Sequence, residues 1–98
     1  MNIEQTRNGS ELTIALSGRM DTVTAPELEK MLAKALDDVT MLVFDFSELT
    51  YISSAGLRVL LSAQKAMNRK GAMKCIHVNE IIMEIFDVTG FSEILTIE

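Results

Sequence analysis

Two adjacent hydroxyls, Ser53 and Ser54, stand in the stretch Tyr51-Ile52-Ser53-Ser54-Ala55-Gly56-Leu57. An apolar strand-like run, Met41-Leu42-Val43-Phe44-Asp45-Phe46, precedes it, and a helical run from Leu57 to Lys70 follows. A helix start presents backbone N–H groups without intrahelical partners and a partial positive charge. A serine there can accept a hydrogen bond as a cap, and a phosphate is tolerated there too. Ser54 is expected to be the cap, and the open question is whether its hydroxyl also does chemistry.

Other chemistries fit the chain less well. A nucleophilic Ser54 would need a base and an oxyanion hole. The one histidine, His77, falls within a predicted strand, where it reads as a satisfied, partly buried residue. The Gly-x-Ser-x-Gly elbow of serine hydrolases is missing around Ser54. His77 and Cys75 share a strand face by parity, but two ligands are too few for a metal site. No Gly-rich phosphate-binding loop occurs. Asp45, near the end of a central strand, invites comparison with aspartate-phosphorylated receivers. Such sites need further carboxylates for Mg²⁺, and no acidic pair follows either of the first two strands. Asp45 is therefore expected to order the loop that carries Ser53 and Ser54. No catalytic residue, metal or cofactor is assigned.

The elements that position the two serines are legible from periodicity. Asn8-Gly9 is a hairpin signal, because both residues accept positive φ. Leu12, Ile14 and Leu16 alternate with Thr13, Ala15 and Ser17 on a half-buried strand. Gly18-Arg19-Met20-Asp21 reads as a loop. Thr24-Ala25-Pro26-Glu27 reads as a capping box with proline in the first turn. Leu28, Met31, Leu32, Ala35 and Leu36 mark the inner face of a first helix, and Asp37-Asp38 at its end oppose its dipole. The run 41–46 is apolar enough for a central strand covered on both faces.

In the second helix, Leu57, Leu60, Leu61 and Met67 face inward, and Gly71 stops it. Residues 72–78 form a fourth strand. Asn79 caps a third helix with Ile82, Ile85 and Phe86 inside, ended by Gly90, and 91–97 is a short last segment, part strand. The predicted fold is a single α/β domain over residues 1–98. An N-terminal antiparallel hairpin opens a mixed, mostly parallel sheet, with helices packed on it. The loops after the second and third strands should open on one edge, which places Asp21 near Ser54.

Composition limits the function classes. With 98 residues and 48% hydrophobic content, the chain supports one compact core. A net charge of −5 opposes nonspecific nucleic-acid binding, and the basic cluster between Lys65 and Lys74 reads as a solvated helix end. No apolar run approaches the ~20 residues that cross a bilayer. A single cysteine and an N-terminus without a secretion signal favour the cytoplasm.

Taken in order, these residues resemble the STAS domain, and in particular the bacterial anti-sigma factor antagonists. The resemblance covers nearly the whole chain. It rests on Gly18-Arg19-Met20-Asp21, Asp45-Phe46-Ser47, Ile52-Ser53-Ser54-Ala55-Gly56-Leu57-Arg58-Val59-Leu60 and Val88-Thr89-Gly90-Phe91. In that family an Asp-Ser-Ser-Gly or Asp-Ser-Thr-Gly loop carries a phosphorylated serine two residues before the glycine. Aligning on Gly56 puts the acceptor at Ser54, with Ser53 in place of the aspartate and Ala55 in place of the second hydroxyl. Both are departures from the family pattern, and Ser53 becomes a minor alternative acceptor.

The resemblance implies a partner that is an anti-sigma factor and a serine kinase, which brings its own ATP and Mg²⁺, and a phosphatase. It implies a partner-binding surface of Asp21, Ser53, Ser54, Ala55, Gly56, Leu57 and Arg58. Neither direct nucleic-acid contact nor membrane insertion is implied. The alternative is a STAS binding or scaffold module, such as a transporter-associated one, without phospho-control.

Overall fold

A computed structural model describes residues 1–98. The elements run β1 (Asn2–Asn8), β2 (Glu11–Met20), α1 (Ala25–Ala35), β3 (Met41–Ile52), α2 (Ser54–Asn68), β4 (Ala72–Ile76) and α3 (Glu80–Thr89), followed by a 3₁₀ turn at Phe91–Glu93. The sheet order is β1-β2-β3-β4, antiparallel between β1 and β2 and parallel thereafter. The two crossovers step the same way across the sheet, and α1 and α2 share one core, as the right-handed rule for parallel crossovers requires. No helix is long and apolar enough to cross a membrane.

The hairpin turn comprises Gly9 and Ser10, since Asn8 already pairs with Glu11. Only Gly9 takes a positive φ, +63°, as two-residue loops with glycine first require. In register, Leu12 pairs Leu42 and Leu42 pairs Met73, while Ile14 pairs Phe44 and Phe44 pairs Cys75. These side chains build the floor of one core, roofed by Leu28 and Leu32 of α1, Leu57, Leu60 and Met67 of α2, and Ile82 and Phe86 of α3. Phe46 stacks on Phe44 at 5.7 Å and meets the Phe86 ring edge-on at 6.0 Å, so α3 is fastened to β3 by aromatic packing.

The other face of the sheet differs from expectation. Val43 is buried but stands outside that core, and Thr13, Ala15, Asp45, Lys74 and Ile76 are only half-buried. β3 is thus helix-covered on one face, because both crossovers turn to the same side.

β2 and β3 are longer than expected. Gly18 to Met20 stay in the sheet through two register irregularities, one beside Gly18, whose φ is +92°. A bulge of this kind lets a strand continue past a local kink. The fourth strand ends at Ile76, and the last segment contributes a 3₁₀ turn and one parallel bridge, Ile97 with Cys75. Gly90 ends α3 in the left-handed conformation, φ +81°, as expected. Gly71 serves another purpose than the one expected. It follows the α2 C-cap Arg69, and a Cβ there would fall 1.9 Å from the Thr40 carbonyl oxygen. Glycine is needed for that close backbone approach.

The acidic end of α1 is compensated from a distance. Arg7 pairs with Asp38 at 2.8 Å and donates to the Ala35 carbonyl at 2.9 Å, and Lys70 donates to the Leu36 carbonyl. Cations from β1 and from the α2 end therefore serve carbonyls that a helix C-terminus leaves unpaired.

Candidate functional site

β2 and β3 finish together. Met20 pairs with Ile52, and the Ser53 N–H donates to the Met20 carbonyl at 2.8 Å. Asp21 and Ser53 therefore leave the sheet side by side on one edge, as the topology predicts. Ser53 is the N-cap of α2, contrary to the expectation for Ser54. It is extended, with φ −92° and ψ 176°, and its hydroxyl oxygen accepts from the Gly56 N–H at 3.5 Å. β3 runs to Ile52, so the one residue between strand and helix is Ser53, and only that residue can take the cap conformation. Ser54 is the first residue of α2 and is exposed.

That placement leaves an unusual helix start. A side-chain bond of 3.5 Å is at the limit of useful geometry, so Ser53 caps weakly. No acidic residue lies in the first turn of α2. Gly56 explains how the start fits against the strand ends. A Cβ there would come within 2.7 Å of Ile52 Cγ1 and 3.0 Å of Met20 Cγ. Glycine lets the helix sit directly on those side chains. Gly56 and Leu57 are buried, Ala55 is half-buried and Arg58 is exposed. The expected partner-binding residues thus divide into a buried base (Gly56, Leu57) and an accessible rim (Ser54, Arg58).

The loop before α1 also differs from a capping box. Thr24 has helical dihedrals, and its side chain makes no cap bond to its helix. Its hydroxyl donates to the Arg19 carbonyl at 2.8 Å and accepts from the Asp21 N–H at 2.9 Å. Asp21 takes over the capping task. Its Oδ1 accepts from the N–H groups of Val23 (3.0 Å) and Thr24 (3.1 Å), while its carbonyl accepts from Ala25 at 2.8 Å. Those bonds, Thr24 first and then Val23, hold the Asp21 carboxyl below the ordinary aspartate range. The ordered loop presents Val23, 76% exposed.

Asp45 and His77 sit elsewhere. Asp45 Oδ1 accepts from the Ser47 N–H at 3.0 Å, and Oδ2 lies 3.3 Å from His77 Nδ1. Burial raises the Asp45 pKa, but the bonds from Ser47 and the nearby His77 outweigh it and the net shift is downward. Asp45 therefore orders the β3 irregularity at Ser47, not the Ser53–Ser54 loop. His77 lies beyond β4 with φ +54°, and its side chain is 64% exposed, not the partly buried strand residue expected. The turn leaves its strand parity with Cys75 without meaning. Burial pushes the Cys75 thiol up to about 12, which makes it inert. Nowhere do three His, Cys, Asp or Glu side chains converge as a metal site would require.

Between the starts of α1 and α2 lies a cleft of about 160 Å³, lined by Ala25, Pro26, Glu29, Ala55, Arg58 and Val59. Through Glu29 and Val59 it joins an apolar groove of about 170 Å³ that runs on between the two helices past Leu32, Ala33, Ala63 and Ala66. Sequence reasoning missed Pro26, Glu29, Val59 and Val23. Nothing local marks the first three, because the cleft exists only once α1 and α2 pack, and Val23 is presented by the turn that Asp21 orders.

Comparison with known proteins agrees with this fold. The chain is 24% identical over 98 residues to an anti-sigma-B factor antagonist of Bacillus subtilis (strain 168), covering 99% of this chain and 90% of that one. Its fold matches the crystal structure of an anti-sigma factor antagonist from Mycobacterium paratuberculosis with a TM-score of 0.86 at 22% identity, covering 98% and 83% of the two chains. It also matches the anti-sigma factor antagonist SpoIIAA, at 15% identity in both solved forms. For the unphosphorylated form the TM-score is 0.86, covering 99% and 88% of the chains. For the phosphorylated form, from Bacillus, it is 0.78, covering 99% and 91%. The STAS domain model matches residues 2–98. A hairpin-led parallel sheet, a serine pair at the second helix start and a family match over almost its full length place this chain in the STAS domain family.

Proposed function

We propose that this protein is an anti-sigma factor antagonist switched by phosphorylation of Ser54. Unphosphorylated, it would bind an anti-sigma factor that is also a serine kinase, and so free a sigma factor. The observation that carries this reading is the α2 start. Ser53 occupies the cap, Ser54 is exposed at the first helical position, and no acid fills the first turn. In the transfer, the ATP γ-phosphoryl group passes to Ser54 Oγ, the hydroxyl proton leaves, and ADP departs. ATP and Mg²⁺ belong to the partner.

The added group carries roughly −1.5 to −2 charges. Against this domain it would lie at the positive end of a helix, where it is tolerated. Against a docked partner it would bury charge and bulk in packed surface, which breaks the complex. The domain would keep its fold while the interface is lost, and a phosphatase would reset it. In this scheme Asp21 positions the Val23 loop beside Ser53, and Arg58 with the cleft between α1 and α2 completes the docking rim.

The test is incubation with the cognate kinase, ATP and Mg²⁺, followed by mass spectrometry of the tryptic peptides. Phosphate on Ser54 is expected. Phosphate mainly on Ser53, or on no serine although the pair demonstrably binds, overturns the assignment.

A further inference from the structure

The charge of this protein is unevenly placed. Through Lys74 the chain holds nine acidic and nine basic residues, and beyond it five acidic and no Lys or Arg. The whole net charge of −5 thus comes from the segment that contains α3. Within α3 the acids are Glu80, Glu84 and Asp87.

The same helix carries apolar residues that the core leaves outside. Ile82 and Phe86 are fully buried, while Ile81 is 59% and Val88 78% exposed. Ile85 is half-buried between them and packs on the core margin. At about 100° per residue, Ile81, Ile85 and Val88 fall within an arc of about 60°. Glu80, Glu84 and Asp87 fall within the adjoining arc, on the side away from Ile82 and Phe86. α3 therefore shows solvent two parallel rows, one apolar and one acidic.

We propose that this face of α3 is a second docking surface, separate from the Ser54 edge. Its occupant is a basic amphipathic helix of another protein. The apolar row supplies area to bury, and the acidic row selects a partner whose apolar stripe is bordered by Lys or Arg. Self-pairing of α3 would bring two acidic rows together, which like-charge repulsion opposes. An anionic membrane surface is opposed for the same reason.

A synthetic peptide of about fifteen residues, with Leu at helical spacing on one face and Lys on the other, serves as the probe. Controls are the same composition scrambled and the version with Glu for Lys. Chemical-shift mapping on the full-length protein should show changes centred on residues 80–89 with the patterned peptide alone. The double substitution Ile81→Ser with Val88→Ser should weaken binding on the order of tenfold, since apolar anchors dominate such interfaces. Glu84→Gln with Asp87→Asn should weaken it and flatten its salt dependence. Melting temperatures should change little, because all four side chains are exposed. Ser54→Asp should leave peptide binding intact, which separates this surface from the phosphorylation switch.

Equal binding of the scrambled peptide, shifts centred on the Ser54 edge, or unchanged affinity in both double variants overturns the proposal. So does concentration-dependent dimerisation abolished by Ile81→Ser, which would make the occupant a second copy.

Discussion

The starts of α2 and α3 are built alike and completed differently. Each has a single extended residue before the helix, Ser53 with φ −92° and ψ 176°, Asn79 with φ −77° and ψ 171°. Each side chain accepts from the N–H three residues on, Gly56 and Ile82 respectively. There the likeness ends. Asn79 accepts at 3.0 Å and donates through Nδ2 to the carbonyls of Leu49 (2.8 Å) and Phe46 (3.3 Å), which ties α3 to β3. Glu80 supplies an anion in its first turn. Ser53 accepts at 3.5 Å, and no acid follows it. One helix start is closed by its own side chains, and the other has a long cap bond and no anion of its own at its positive end. α1 falls on the closed side, since the carboxylate of Asp21 fills the turn before it. The lesson is that a capped start is structural when polar partners and charge are both supplied internally.

Four experiments test this contrast. The largest effect is expected from Ser54→Asp, which puts a permanent anion at the open start. Affinity for the cognate kinase should fall by about 100-fold or more, roughly 3 kcal/mol, as for a buried unpaired charge. The melting temperature should hold or rise slightly, and calorimetry beside a pull-down reads both. If the domain unfolds while binding survives in the folded fraction, the α2 start is as structural as that of α3.

Asn79→Ala attacks the closed start. It removes the cap and leaves two β3 carbonyls without their donor, at a cost of about 2–3 kcal/mol. For a domain this size that lowers the melting temperature by roughly 10–20 °C. A shift no larger than that of Ser53→Ala would erase the distinction between the two starts.

Ser53→Ala should cost only about 0.5–1 kcal/mol, because its cap bond is long, and Ser54→Ala should stay within about 0.5 kcal/mol. Denaturant midpoints measured side by side decide which serine is the cap. A larger loss for Ser54→Ala would return the cap to Ser54.

The smallest effect concerns Asp21. Its folded pKa is lowered from 3.8, so its contribution to stability is complete above the unfolded value and is lost as pH falls through the folded one. The stability difference between wild type and Asp21→Asn should be flat above about pH 5 and shrink below about pH 4. A difference that instead grows on acidification would contradict the bonds from Val23 and Thr24.

Some of this organisation was written locally. Gly9 at the hairpin, the alternation of Leu12, Ile14 and Leu16, the spacing from Leu28 to Leu36, the Asn79 cap and the Gly90 stop each depend on neighbours within a few residues. A sequence exposes such neighbours directly, and its periodicity names the buried face. The serine pair beside Gly56 was legible in the same way, as a polar junction between an apolar strand and an amphipathic helix.

Which serine caps α2 was decided by partners some thirty residues away. β2 carries β3 on to Ile52 by pairing as far as Met20 past two irregularities at which β3 holds the extra residue, and that ending alone makes Ser53 the junction residue. The same holds for Gly71 against Thr40, for Arg7 with Asp38, and for His77 turned onto Asp45. The cleft shared by Pro26, Glu29 and Val59 belongs to this group as well. Local pattern sets each element and its inner face. Register and crossover direction, which the sequence expresses only through the packed whole, set what those elements bring together.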